Sequence, residues 1–339
     1  MSVNEPKQQE FFKEGRPMSG SILYSNSSTR QLAGDISRVT GYPLRDAVDK
    51  SYSDGEARVQ LSSDTRGRVV FVIGSTHQPD RNLFEMLMII RAARKAAADY
   101  IVAVFPYFGY SRADYKDRPR VCPTTKLVCD LIASSGVDHV LTVDLHSPQI
   151  QEFFPTRVVV DQLYSTSIFA EHFSDFDWTR TVILAPDNGS IKNARKLRDF
   201  LDAAGLGFIN KSRPKPNMVD KVVNINMEIG TSIKEMNVLI IDDMSDTSGT
   251  ICNSAVAAKE NGAARVEVAF AHGVLSGEAL DRLAQAPIDR LWLTNSIPGV
   301  EQKVSSLPYD VKIIDLAPTL GEAIRRTYNR ESISSLIKM

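Results

Sequence analysis

Residues 238–250, VLIIDDMSDTSGT, combine groups that could hold a phosphorylated polyol. An apolar run ends in adjacent carboxylates, Asp242 and Asp243. Asp246, Thr247, Ser248, Gly249 and Thr250 follow, and helical sequence opens at about Gly249. Backbone N–H groups at a helix start lack intrahelical acceptors and carry partial positive charge, which suits a phosphate monoester. Gly249 lets the backbone approach closely, and the hydroxyls of Thr247, Ser248 and Thr250 add donors. The paired aspartates can accept hydrogen bonds from two neighbouring sugar hydroxyls. The competing reading is an ordinary strand-to-helix turn capped by Asp246 or Thr247.

Other polar segments carry distinct chemistry. In FPYFGYSRADYKDRPR (Phe105–Arg120), aromatics are followed by Arg112, Lys116, Arg118 and Arg120, with Asp114 and Asp117 among them. Arginine stacks on bases and forks onto phosphate oxygens. In YSDGEARV, Tyr52 offers an aromatic face and Asp54 and Glu56 offer acceptors, a set able to recognise a purine amine; alone, SDGE is a hairpin turn. VDLHSPQIQEFF ends a strand in His146, beside Asp144, which could orient it. LAPDNGSIKNAR presents Asp187, and INKSRPKPN alternates Lys211 and Arg213 with prolines, a pattern that can clamp migrating phosphate charge.

These segments must be positioned by a folded scaffold, and composition supports one. Of 339 residues, 43% are hydrophobic, too many for general disorder and enough for sizeable cores. The length suits two domains. A net charge of -1 gives no global field for nucleic acid or anionic membrane, so neither is an expected partner. Three cysteines without metal-type spacing, in a chain with a polar start, point to reduced thiols and a cytoplasmic location. Residues 1–20 read as a flexible tail.

Strands are expected at SILYSNS, VVFVIGS, IVAVFPYFGY, VDHVLTVDLH, TVILAPD, LGFIN, NVLIIDD, RVEVAF and RLWLTNS. Helical spacing lies between them, clearest over Asn82–Ala98, where Leu83, Met86, Leu87, Ile90 and Ala93 share a face. This alternation predicts parallel sheets covered by helices, twice over. Ligands of open α/β sheets bind at strand carboxyl ends, where these polar segments fall.

Taken together, the segments resemble the ribose-phosphate diphosphokinase (phosphoribosyl diphosphate synthetase) family from about Leu23 to the C-terminus. The DTSGT loop looks like the phosphoribosyl-binding motif that this family shares with type I phosphoribosyltransferases. The resemblance implies two tandem type I phosphoribosyltransferase-like domains, each a mainly parallel sheet flanked by helices. They would span residues 21–160 and 161–339, with about the last 20 residues packing on the first domain. It further implies transfer of the β,γ-diphosphate of ATP to the anomeric hydroxyl of ribose 5-phosphate.

By the same resemblance, Tyr52, Asp54, Glu56, Arg112, Asp117 and His146 bind ATP, and the Tyr52 hairpin reaches a neighbouring subunit in a homo-oligomer. Asp187, Asp242, Asp243 and the Asp246–Thr250 loop hold ribose 5-phosphate, Lys211 and Arg213 act in catalysis, and His146 and Asp187 face Mg²⁺. HGVLSG, TNSIP and ESISSL also match the family. Three departures stand out: Ala113 replaces a glutamine, Ser190 a glycine and Asn188 a hydrophobic residue. Rival readings are a non-catalytic regulatory homologue, the same chemistry on a modified ribose, and a phosphoribosyltransferase, which would leave the ATP-like segments unexplained.

Overall fold

The computed structural model describes residues 20–47, 51–173, 175–211, 223–228 and 230–337. The N-terminal tail before residue 20 and Arg213 lie outside these residues. The chain forms two compact units. The first takes in the chain up to Thr142, Ser147–Asp161 and Leu320–Glu331; the second takes Val143–His146, Gln162–Thr319 and the chain from Ser332.

In the first unit, β1 (Ser21–Ser25), β2 (Val69–Ile73), β3 (Tyr100–Phe105), β4 (His139–Val143) and β5 (Val159–Leu163) lie side by side in sequence order. The pairs from β1 to β4 are parallel. Helices α1 (Arg30–Thr40), α2 (Arg81–Lys95) and α3 (Thr124–Ser135) connect successive strands. Every residue of β1 to β4 is buried, as strands covered on both faces require. The expected face of α2 is largely buried through Leu83, Met86, Ile90 and Ala93. That face also buries Glu85.

The second unit holds β6 (Thr181–Ala185), β7 (Gly205–Lys211), β8 (Val223–Met227), β9 (Asn237–Ser245), β10 (Arg265–Gly273), β11 (Arg290–Thr294) and β12 (Asp310–Ile314). Their order is β12-β11-β10-β9-β6-β7-β8, with β8 antiparallel at one edge. The helices are α4 (Ser165–Ala170), α5 (Ile191–Leu201), α6 (Gly249–Glu260), α7 (Ala279–Gln285), α8 (Val300–Val304) and α9 (Ala317–Asn329), the last running into first-unit residues at Leu320. Val238, Ile240, Val266, Val268, Phe270, Leu291 and Leu293 form much of the core with Ile251 and Ala255 of α6. Burial of each such aliphatic side chain contributes about 1.5–3 kcal/mol. The chain leaves β6 toward β7 on one side and returns to β9 on the other. The sheet therefore has a reversal point between β6 and β9, the position where open α/β sheets accept ligands.

The Tyr52 segment closes in a tight turn, with Tyr52 N–H donating to Glu56 O at 2.9 Å and Gly55 N–H to Tyr52 O at 2.9 Å, and its flanks are joined by Gln60 N–H to Ala47 O at 3.0 Å and Ser62 N–H to Asp46 O at 2.9 Å, as in a hairpin. One expectation changes. Helix α9, not anticipated, carries Pro318 and Gly321, which mask its periodicity. A Cβ at Gly321 would lie 2.8 Å from Val39 Cγ1 of α1, so close helix packing requires glycine there. No helix of the described residues is long and apolar enough to cross a membrane.

The exits of β2 and β3 are locked together. Thr76 N–H donates to Tyr107 O at 3.1 Å, and Gly109 N–H donates to Thr76 Oγ1 at 2.7 Å. A Cβ at Gly109 would stand 2.3 Å from the Thr76 carbonyl oxygen, a backbone atom that cannot swing aside. Gly109→Ala should therefore cost about 1–3 kcal/mol of stability in urea denaturation. An unchanged midpoint would show that the two exits separate freely.

Candidate active site

In the second unit the reversal point brings four carboxylates together. β9 extends through both of its aspartates, with Asp242 in register with Phe270 of β10. Asp242 Oδ1 accepts from Asp243 N–H at 3.0 Å, and Asp243 Oδ1 accepts from Met244 N–H at 2.8 Å. Asp187 lies just beyond the end of neighbouring β6. Burial, and then the charges of Asp243 and Asp187, push the Asp242 carboxyl well above the ordinary carboxylate range. Asp144, just beyond β4, is raised to about 7, chiefly by burial and in part by Asp243.

His146 answers this charge from one side. Its Nδ1 lies 3.0 Å from Asp243 Oδ2, so Nδ1–H donates to the carboxylate. Any metal or phosphate contact by this imidazole must therefore use Nε2. The carboxylate that holds His146 is Asp243, not the adjacent Asp144. Asp144 instead accepts from Ser165 N–H at 3.2 Å and from Ser165 Oγ. The sequence pointed to the nearer carboxylate; strand packing selected one 97 residues away.

The Asp246–Thr250 loop is not capped by Asp246 or Thr247. Ser248 is the N-cap of α6, in the left-handed region at φ 60°, and makes no side-chain cap hydrogen bond. Its Oγ instead shares a 2.9 Å hydrogen bond with Ser245 Oγ. Among the described residues, no acceptor meets the backbone N–H groups of Thr247, Ser248 or Gly249. The loop is braced from behind: Ser276 N–H donates to Asp246 O at 2.9 Å, Leu275 N–H to Ser245 O at 3.1 Å, and Arg282 Nη1 to Thr247 O at 3.0 Å. Braced carbonyls beside unmet N–H groups leave a turn suited to an anion.

Asp187 Oδ1 accepts from Gly189 N–H at 2.9 Å, Ser190 N–H at 3.1 Å and Ser190 Oγ at 3.2 Å. All three donors fall on one oxygen, leaving Oδ2 for a ligand. The Ser190 departure thus folds its hydroxyl back onto Asp187, while Asn188 is exposed. Among the described residues, no three His, Cys, Asp or Glu side chains form a ready-made metal cage. A carboxylate cluster without such a cage still fits Mg²⁺, which keeps its waters and takes one or two protein ligands.

In the first unit, Tyr52, Asp54 and Glu56 share the tight turn, where Asp54 Oδ1 accepts from Glu56 N–H at 3.0 Å. Arg112 and Asp117 lie on the exposed loop after β3, Asp117 pairing with Arg118 at 3.1 Å. Ala113 supplies only backbone, its carbonyl accepting from Thr125 N–H of α3 at 3.2 Å. Lys211 is the last residue of β7.

Sequence reading missed the residues that set the Tyr52 turn. Arg81 donates to Gly55 O at 3.2 Å and Ser51 Oγ at 2.7 Å. Its Nε is held at 2.8 Å by the fully buried Glu85, whose other oxygen accepts from Ser27 N–H at 2.8 Å and Ser27 Oγ at 2.6 Å. A carboxylate on the apolar face of α2 was the available signal, since buried charge must be paired.

Comparison with known proteins points to one family. Residues 21–136 match the family described as the N-terminal domain of ribose phosphate pyrophosphokinase, and residues 207–338 match the phosphoribosyl synthetase-associated domain. The ribose-phosphate pyrophosphokinase of Campylobacter jejuni is 40% identical over 320 residues, covering 94% of this chain and 99% of the relative. That of Helicobacter pylori (strain ATCC 700392 / 26695) is 40% identical over 324 residues, covering 94% and 96%. The crystal structure of phosphoribosylpyrophosphate synthetase from Mycobacterium smegmatis matches with a TM-score of 0.83 at 29% identity, covering 92% of this chain and 99% of that one.

The raised Asp144 pKa has a signed consequence. Between its unfolded value near 3.9 and its folded value of about 7, the folded chain binds the extra proton, so this group's contribution to stability falls as pH rises. The melting-temperature difference, Asp144→Asn minus wild type, should climb from about pH 4 to about pH 7 and then level off. A flat difference would show that Asp144 ionises without penalty.

Proposed function

The chain belongs to the ribose-phosphate pyrophosphokinase family, and from that premise we propose how its own residues perform the family's reaction. It is a diphosphate-transferring enzyme that converts ATP and ribose 5-phosphate into 5-phosphoribosyl 1-diphosphate and AMP. The observation that carries the residue assignment is the α6 turn just beyond Asp242 and Asp243, where the N–H groups of Thr247, Ser248 and Gly249 meet no acceptor among the described residues. The 5-phosphate accepts from those groups and from the hydroxyls of Thr247 and Thr250. Asp242 and Asp243 accept from the ribose hydroxyls, which orients the anomeric oxygen for attack on the β-phosphorus.

Arg112, Asp117, Tyr52, Asp54 and Glu56 hold ATP, the Tyr52 turn reaching the nucleotide of a second copy of the chain. His146 and Asp187 would hold Mg²⁺, which would supply charge neutralisation on the ATP phosphates. Positioning and charge stabilisation do most of the work in phosphoryl transfer, so no covalent intermediate is required. Lys211 and Arg213 stabilise the transferring diphosphate. All the acids expected at the sugar are present, which favours catalysis over a purely regulatory homologue. The enzyme acts in the cytoplasm.

Incubation with ATP, Mg²⁺ and ribose 5-phosphate should yield AMP only when the sugar is present, and EDTA should abolish the yield. Sugar-independent AMP would overturn the assignment. Lys211→Ala should lower kcat by about two to three orders of magnitude while ATP affinity changes little. Near-wild-type turnover would remove Lys211 from the mechanism. Light scattering should find a homo-oligomer, and a fully active monomer would contradict the Tyr52 assignment.

A further inference from the structure

Two sequence segments, HGVLSG and TNSIP, remain without a role in the reaction. Their residues His272 and Ser296 are both fully buried. His272, on β10, has Nε2 3.1 Å from the Asp144 carbonyl oxygen and Nδ1 2.9 Å from Ser296 Oγ. A carbonyl carries no proton, so Nε2 bears the hydrogen; Ser296 Oγ, beside Nδ1, also lies 3.2 Å from the Ala271 carbonyl oxygen. Burial lowers the His272 pKa, which favours the neutral ring.

The carbonyl that His272 grips belongs to an unusual residue. Asp144 has φ 29°, in the left-handed region that a residue with a Cβ avoids. Such strain persists only where surrounding contacts over-determine the backbone. Here Asp144 N–H donates to Leu163 O at 3.0 Å, its carboxylate takes Ser165 N–H and Oγ, and its carbonyl takes His272. Two residues further on, His146 meets Asp243 of β9. His272 itself is in register with Met244, the residue after Asp243. One β9–β10 strand pair thus holds both ends of the Asp144–His146 turn.

We infer that His272 is a positioning residue for His146, fixing the strained turn through its Nε2–H bond to the Asp144 carbonyl. The inference rests on the proposed role of His146 at the ATP phosphates for its catalytic consequence, but not for its structural one. A core-packing role would need only volume, whereas this role needs a donor at the Nε2 position.

The test is a set of three substitutions. His272→Gln keeps an amide N–H near the Nε2 position; His272→Asn places its amide near Nδ1, within reach of Ser296 only; His272→Leu removes both. We expect kcat to fall about 10²-fold in the Asn and Leu variants and less than about fivefold in Gln, with KM for ribose 5-phosphate within about twofold throughout. In the same set, the His146 Cε1–H signal in histidine-labelled protein should move in Asn and Leu and stay near its wild-type position in Gln. Should Leu fail to fold, the Gln and Asn pair still decides. Equal kcat losses in that pair, or an unmoved His146 signal in Asn, overturns the inference. A displaced His146 signal with undiminished kcat leaves the positioning role standing and overturns the catalytic role of His146 instead.

Discussion

Carboxylates forced together at a sheet reversal dominate the second unit. β6 and β9 are neighbours that the chain reaches from opposite directions, so their carboxyl ends present Asp187 and Asp242 side by side. Asp243 raises both Asp242 and Asp144, and Asp187 adds to the first. Like charges in a partly desolvated place hold protons or demand a cation. A fold that keeps this concentration is less stable alone than with a counter-charge.

The surrounding structure spends its hydrogen bonds on shape rather than on satisfying the site. The α6 turn has its carbonyls pinned by Ser276, Leu275 and Arg282, while three N–H groups meet no acceptor among the described residues. Asp187 takes all its donors on one oxygen. His146 Nδ1 is held by Asp243. The α6 turn and Asp187 are each fixed by one edge and present the other, the arrangement expected where ligand contacts must form without reorganisation. In the first unit, the buried Glu85 likewise orients Arg81, and Arg81 holds the Tyr52 turn.

Much of this was legible because local sequence and local structure obey the same rules. The runs VVFVI, YIVAVF and NVLII became buried strands, and the apolar spacing of Leu83, Met86, Ile90 and Ala93 became the core face of α2. The helix after DTSGT opens at Gly249 as expected. Features that depend on partners distant in sequence were not legible. α9 was hidden by a glycine that packing against Val39 demands. The polar signal of the SDGE turn concealed its dependence on Arg81.

By itself the sequence determined which chemical groups stand at the strand exits and that strands alternate with helices, because strand and helix periodicity and phosphate-loop composition are properties of neighbouring residues. The tertiary structure alone decided which groups act together. It paired His146 with Asp243 rather than Asp144, folded Ser190 onto Asp187 and set His272 against a strained carbonyl 128 residues away. The reason is physical: a hydrogen bond forms with whichever group the sheet's strand order brings within about 3 Å, and strand order is set by burying the core as a whole.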